Sequence, residues 1–277
     1  MAGPEIPEDV VFGDLDRAAR APLRTLSKDN ANIVGRHLVM VGRLLDADPE
    51  LAYEHAQAAV RRGGRVDIVR EAAGLAAYRT GRYAEALREL RTVRRLNGSS
   101  EHLPVMADCE RGLGRPERAL ALAQSPEAES LDPEARVELA IVVSGARLDL
   151  GEAEAAVAVL GTPEVRAAAG ELAVRVAVAR AAALEAAGRA DEAGVELARF
   201  SAAQVSAVTQ GPADDEDDIV VFDVEEDLDD VPSDEDARDS RDSAQAADDR
   251  EHVPDEDVPG DEDAAGVPAG DEEDAGA

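Results

Sequence analysis

Between residues 32 and 206, small and large apolar residues recur at intervals of three and four, in stretches separated by short Gly, Asp and Pro segments. That spacing gathers the apolar positions on one face of an α-helix. The clearest case runs from Arg70 to Gly98, REAAGLAAYRTGRYAEALRELRTVRRLNG. A first helix with small residues at Gly74 and Ala77 is predicted to end near Gly81, at a helix-stop position. A second opens at Tyr83 and turns Ala86, Leu90 and Val93 inward, with Glu89 expected on the surface.

The same frame returns three times further along. LPVMADCERGLGRPERALALA places Ala107, Gly114, Pro116 and Ala119 in it, and VELAIVVSGARLDLGEAEAAVAVL places Gly151, Ala156 and Leu160. VAVARAAALEAAGRADEAGVELARF supplies Gly188, Ala193 and Leu197. Upstream, GRHLVMVGRLLDADPELAYEHAQAAV reads as a degenerate first pair, with Ala47 at the turn and Ala52, Ala56 and Ala59 on its second helix. Turn positions 47, 81, 114, 151 and 188 are 34, 33, 37 and 37 residues apart, the longer steps implying lengthened loops at SPEAESLDPEA and GTPEVRAAAGE. Two helices of about 12 to 17 residues with one apolar face each need a neighbouring pair to cover them. The expected fold is all-α, a helix-turn-helix repeat solenoid of about five pairs, the alternative being an irregular bundle closed around one core.

Gly74, Gly81, Tyr83, Ala86 and Leu90 resemble the tetratricopeptide repeat, whose pattern has a small residue in mid-helix, a turn glycine, an aromatic, an alanine and a large apolar residue in that order. The resemblance covers residues 32–206. It implies a groove lined by the first helix of each pair, and the work of holding a peptide or partner helix. By the same pattern the exposed first-helix positions would include Glu71, Tyr78, Arg79, Asp108, Arg111, Glu138 and Asp149. That set is mixed in sign and contains no repeated Lys/Asn clamp for a peptide carboxylate.

Charge divides the chain. From Pro212 onward there are 29 acidic residues against Arg238, Arg241 and Arg250, a net −26, whereas residues 1–211 carry −6. Asp/Glu clusters spaced by Pro, Gly, Ser and Ala bury too little apolar surface to offset chain entropy. The organisation expected is therefore a lead segment over residues 1–31, a repeat domain over 32–206 and an acidic, mostly disordered tail over 207–277. Within the tail, DDIVVFDVEEDLDD gathers Ile219, Val220, Val221 and Phe222, β-formers suited to joining the sheet edge of another protein or to packing on the last repeat. Within the body, ten arginines lie between Arg61 and Arg95 against four acidic residues. Arg88, Arg91 and Arg95 fall on one helix face. That face reads either as a solvated one with local pairs such as Glu85–Arg88 and Glu71–Arg70, or as a dock for an acidic segment, including the chain's own tail.

Chemistry is sparse. The only thiol, Cys109, cannot form an internal disulfide, and four scattered histidines give no zinc spacing. With one lysine, Lys28, there is no Gly-Lys-Ser/Thr phosphate loop. His55 is expected as a partly exposed helix histidine and Cys109 as a small buried hydrophobe. The acidic runs lack the glycine and twelfth-position glutamate of a calcium loop, and six dispersed aromatics form no base-stacking platform. No catalytic residue, cofactor or metal is expected, and no specific nucleic-acid or membrane partner. The acidic opening MAGPEIPEDV and the lack of a long apolar run suggest a cytoplasmic protein. The expected function is a non-catalytic interaction scaffold whose tail modulates binding to an unidentified protein or peptide. The alternative is a regulatory polyanion, a nucleic-acid mimic competing for basic partners. The bias to Arg over Lys and the Ala enrichment resemble actinobacterial repeat proteins with acidic tails.

Overall fold

The computed structural model of the chain describes residues 3–209. All of their regular secondary structure is helical. After three short turns of helix, a 3-10 turn at Phe12–Asp14, α1 (Arg17–Arg20) and a 3-10 turn at Pro22–Thr25, the helices follow as antiparallel pairs: α2 (Lys28–Leu44) with α3 (Pro49–Gly63), α4 (Asp67–Arg79) with α5 (Tyr83–Asn97), and α6 (Leu103–Gly112) with α7 (Pro116–Ala123). Next come α8 (Pro133–Asp149) with α9 (Ala153–Val159), then α10 (Pro163–Arg166), then α11 (Gly170–Ala186) with α12 (Ala190–Leu197), closed by α13 (Ala202–Thr209), which packs on α11. Every major helix contact joins members of the same or adjacent pairs. The buried residues accordingly form successive local clusters, such as Ala77, Ala86, Leu90, Met106 and Cys109, then Leu103, Ala107, Ala119, Leu139 and Ala146. This is a stack of helical hairpins, not a bundle around one core.

Four hairpin turns are built identically. Gly81, Gly114, Gly151 and Gly188 all have positive φ, between 69° and 75°. At each, the glycine N–H bonds the carbonyl three residues back and the next N–H bonds the carbonyl five back, as in Gly81 to Tyr78 (3.0 Å) and Arg82 to Ala77 (2.8 Å). This is the Schellman stop, which satisfies carbonyls that the helix leaves without partners. Each turn glycine thus reverses the chain into the next helix. The first hairpin turns without one: Asp48 caps α3 by accepting the Leu51 N–H at 3.0 Å.

The small residues of the repeat frame lie where helices meet. Ala86, Ala119 and Ala156 are fully buried and Ala193 nearly so. A Cβ added at Gly74 on α4 would come within 2.7 Å of Leu90 on α5, and one added at Gly112 within 2.4 Å of the Tyr83 ring. Glu89, expected at the surface, is instead buried at 6% exposure, because Arg70 reaches across from α4 to neutralise it at 2.7 Å. The later second helices are also shorter than expected, with 8, 7 and 8 residues in α7, α9 and α12. Pro126 and Pro163 explain two of these: each forces the preceding residue, Ser125 (ψ 154°) or Thr162 (ψ 147°), into extended backbone and so ends the helix.

The lead segment is a strap on the first hairpin. Val10 is buried against Val39 and Met40, Phe12 lies over Gly35, and Arg36 donates to the carbonyls of Val10 (2.7 Å) and Pro7 (2.9 Å). α2 begins at Lys28, four residues before the position expected for the repeat domain. The sequence features placed in the tail, including Ile219, Val220, Val221 and Phe222, lie outside the described residues. No described helix is long and apolar enough to cross a membrane.

Candidate interaction groove

The first helices of successive hairpins share one surface, and their polar residues bond along it. The Tyr78 hydroxyl on α4 donates to Asp108 Oδ2 on α6 at 2.6 Å. Arg111, one turn further along α6, donates to Asp108 Oδ1 at 2.8 Å and forks onto Asp149 of α8 at 2.8 and 3.3 Å. Gly145 makes this fork feasible, since a Cβ there would come within 2.5 Å of the guanidinium carbon. Burial and the Asp108 carboxylate together push the Tyr78 hydroxyl well above the ordinary tyrosine range, so it stays a donor. Of the seven positions read from the repeat pattern as exposed, four thus form one continuous ladder, and Tyr78, Asp108 and Arg111 are half-buried. Arg79 remains exposed and pairs with Asp46 at 3.0 Å.

Beyond the ladder the surface opens into two adjoining cavities, of about 300 Å³ and 820 Å³, that share Glu101, Ala135, Glu138 and Arg175. Their floor is apolar, with Pro104, Val105 and Val142 in one and Val137 and Leu172 in the other. Their walls carry seven carboxylates, of which Asp108, Glu138 and Glu164 are paired with Arg111, Arg175 and Arg136, while Glu101, Asp132, Glu134 and Glu171 have no arginine partner among the described residues. Glu138 pairs with Arg175, yet burial holds its carboxyl above the usual range. Glu71 is pushed up to about 6, by burial first and then by Glu101 and Asp67. A groove of this composition stabilises a cation whose stem is apolar.

Glu71, Glu101 and His102 also bring three potential metal donors within 4.8 Å of one another. His102 Nε2 lies 3.3 Å from Glu101 and 3.6 Å from Glu71. Burial lowers the His102 pKa against the pull of Glu101, so the imidazole tends to the neutral form.

The arginine-rich stretch is used mostly within the fold. Arg91 pairs with the buried Glu110 at 2.9 Å, Arg94 with Glu127, and Arg82 with Glu50 at 2.9 Å while covering the Tyr53 ring. Arg88 lies 3.7 Å from Glu85 and 3.6 Å from Glu89. Arg70 bonds Glu89 and not Glu71. Arg88, Arg91 and Arg95 are all exposed on α5, but the first two already face carboxylates. Most of these partners come from the adjacent helix or hairpin, 19 to 33 residues away. A search for pairs within one helix turn misses them, whereas comparing positions one repeat apart finds Arg82–Glu50 and Tyr53–Glu85.

Two residues with chemical potential are sealed. His55 is fully buried, contrary to the exposed position expected for it, because α2 presents His37 to it with Nδ1 to Nδ1 at 2.9 Å. One imidazole must donate and the other accept, so the contact requires that at least one be neutral. Burial lowers both pKa values, that of His37 to about 4. The Cys109 thiol is buried and pushed up to about 12, far from a reactive thiolate. No protein-family model matches the chain, and no curated protein matches it.

Proposed function

We propose that the chain is a cytoplasmic, non-catalytic interaction scaffold of the tetratricopeptide type, whose first-helix groove holds a basic, partly apolar segment of a partner protein. The observation that carries this reading is the groove wall, where Glu101, Asp132, Glu134 and Glu171 stand without an arginine partner among the described residues over an apolar floor spanning α6, α8 and α11. Arg and Lys side chains suit it, since their stems cover apolar surface while their heads meet the carboxylates. The acidic tail has the same sign as the groove. It therefore draws basic partners towards the protein and competes with the groove for them, which is the modulation we assign to it.

A second reading, a polyanion that sequesters basic partners through the tail alone, is favoured by the net −26 of residues 212–277. One experiment separates the two. A fluorescent peptide alternating Arg with Leu is titrated by anisotropy against the full chain, a chain lacking residues 212–277, and a full chain carrying Glu138→Lys and Glu171→Lys. The scaffold reading expects the shortened chain to retain binding and the doubly substituted chain to lose it at least tenfold. Binding lost with the tail and indifferent to the two lysines would leave the polyanion reading in its place.

A further inference from the structure

A third cavity, away from the groove, has the opposite sign. Phe12, α1, the Pro22–Thr25 turn and the start of α2 enclose about 620 Å³ rimmed by Arg17, Arg20, Arg24 and Lys28, with Phe12 and Leu26 in its floor and no carboxylate in its lining. Two of the nearby acids are engaged elsewhere: Asp16 caps α1 by accepting the Ala18 N–H at 2.7 Å, and Asp14 pairs with Arg43 at 3.2 Å. Among the described residues, none of the four cations forms an ion pair, whereas most arginines of the hairpins do. In a chain of net charge −32, four uncompensated cations around an apolar hollow are a site with a defined complement. That complement is a segment in which apolar side chains alternate with or are flanked by carboxylates.

The chain contains such a segment. DDIVVFDVEEDLDD, residues 217–230, has six apolar residues set among acidic ones, and Phe222 is the only aromatic of the tail. We propose that the pocket receives this segment from a second copy of the chain. The protomer's own segment is poorly placed to fill it. α13 ends at Thr209, thirteen residues before Phe222, so a flexible link spans about 20 Å, and only a fully extended one approaches about 45 Å. The pocket sits on the first hairpin and α13 on the fifth, and four packing steps at about 10 Å each amount to about 40 Å before any detour. A contact between the lead segment of one copy and the tail of another makes either a closed assembly, by reciprocal exchange, or an open chain, and both grow as concentration rises. It is independent of the groove reading.

Lys28, the only lysine, reports the occupant directly. A carbodiimide condenses its amine with a touching carboxylate to an amide, taking up the water lost as a urea. Equal amounts of ¹⁵N-labelled and unlabelled full chain are coupled in about 0.1 M salt, digested and analysed by mass spectrometry. The expected result is mixed-isotope links from Lys28 to Asp217, Asp218, Asp223 or Glu225, falling at least fivefold in a Val220→Ser/Phe222→Ser chain, whose body is unchanged. Arg17→Ser/Arg20→Ser should lower them similarly. Links within one isotope only would overturn the second-copy assignment. Links confined to body carboxylates, or yields indifferent to Val220→Ser/Phe222→Ser, would overturn the pocket as a site for this segment.

Discussion

Two glycines in mid-helix isolate the packing that holds the hairpins together. Gly74 on α4 and Gly42 on α2 are both helical, and alanine at either gains helix propensity, about 0.8–1.0 kcal/mol. Their surroundings differ. Nothing lies within 4 Å of a Cβ at Gly42, whereas at Gly74 it would stand 2.7 and 2.8 Å from Leu90 Cδ2 and Cγ, about an ångström inside normal contact. Leu90 is 1% exposed among Ala77, Ala86 and Met106 and has no space to retreat into, so α4 and α5 must separate. Overpacking of this kind costs about 1–3 kcal/mol. Gly42→Ala should therefore raise stability by just under 1 kcal/mol, and Gly74→Ala should fall about 1–3 kcal/mol below it. For a body of this size that separates the two melting temperatures by about 2–12 °C, readable by circular dichroism at 222 nm. Equal and positive shifts for both variants would refute the α4–α5 contact, and with it the register that puts Gly74 opposite Leu90.

Gly81→Ala and Gly114→Ala meet no neighbouring atom, so each should lose only the backbone cost of positive φ, about 1–2 kcal/mol, and by similar amounts in urea titrations. Arg111→Met leaves Asp108 and Asp149 without their shared cation and should cost about 1–2 kcal/mol. Combined with Tyr78→Phe, its effect should be non-additive by at least 0.5 kcal/mol if the ladder acts as one network. Burial, with His55, Arg62, Arg61 and Arg36 around it, holds His37 at about 4, so the unfolded chain takes this proton first as pH falls. The stability due to neutral His37 is complete above about pH 6.5 and is lost towards pH 4. His37→Gln should therefore lose less stability than the parent between pH 7 and 4, read from urea titrations at the two pH values. Glu71 acts in the opposite sense, gaining stability as pH falls from about 6, and cancels in that comparison.

What the sequence discloses about this fold is what local chemistry determines. A turn that needs positive φ needs glycine, so Gly81, Gly114, Gly151 and Gly188 announce four of the five hairpins by identity and spacing alone. The alanines opposite them are legible for a similar reason, since close helix approach excludes larger side chains. The polar contacts are different, because a charged residue has no local preference that names its partner. Glu89 and Glu110 look like ordinary surface residues of an amphipathic helix until Arg70 and Arg91, nineteen positions earlier in each case, are folded onto them. The His37–His55 contact is hidden in the same way: each residue is unremarkable on its own helix, and only the α2–α3 packing makes them a pair.

The same logic explains where net charge collects. At an interface between hairpins, an arginine and a carboxylate about one repeat apart are brought together and consume one another, as Arg82 and Glu50 or Arg189 and Glu154 do. Charge collects where the adjacent hairpins offer too little of the opposite sign. On the first-helix surface of α6, α8 and α11, Arg111 and Arg175 take Asp149 and Glu138 across the interfaces, and Glu101, Glu134 and Glu171 are left over. The lead segment is another such place: it folds on α2 as a strap and not as a hairpin, so Arg17, Arg20, Arg24 and Lys28 meet no row of acids across an interface. The arginine face of α5, by far the more conspicuous in sequence, fails this criterion because Glu85, Glu89 and Glu110 already stand beside it. An incoming acidic segment would have to break those pairs there, leaving buried carboxylates without cations, whereas at the lead-segment pocket it displaces only solvent.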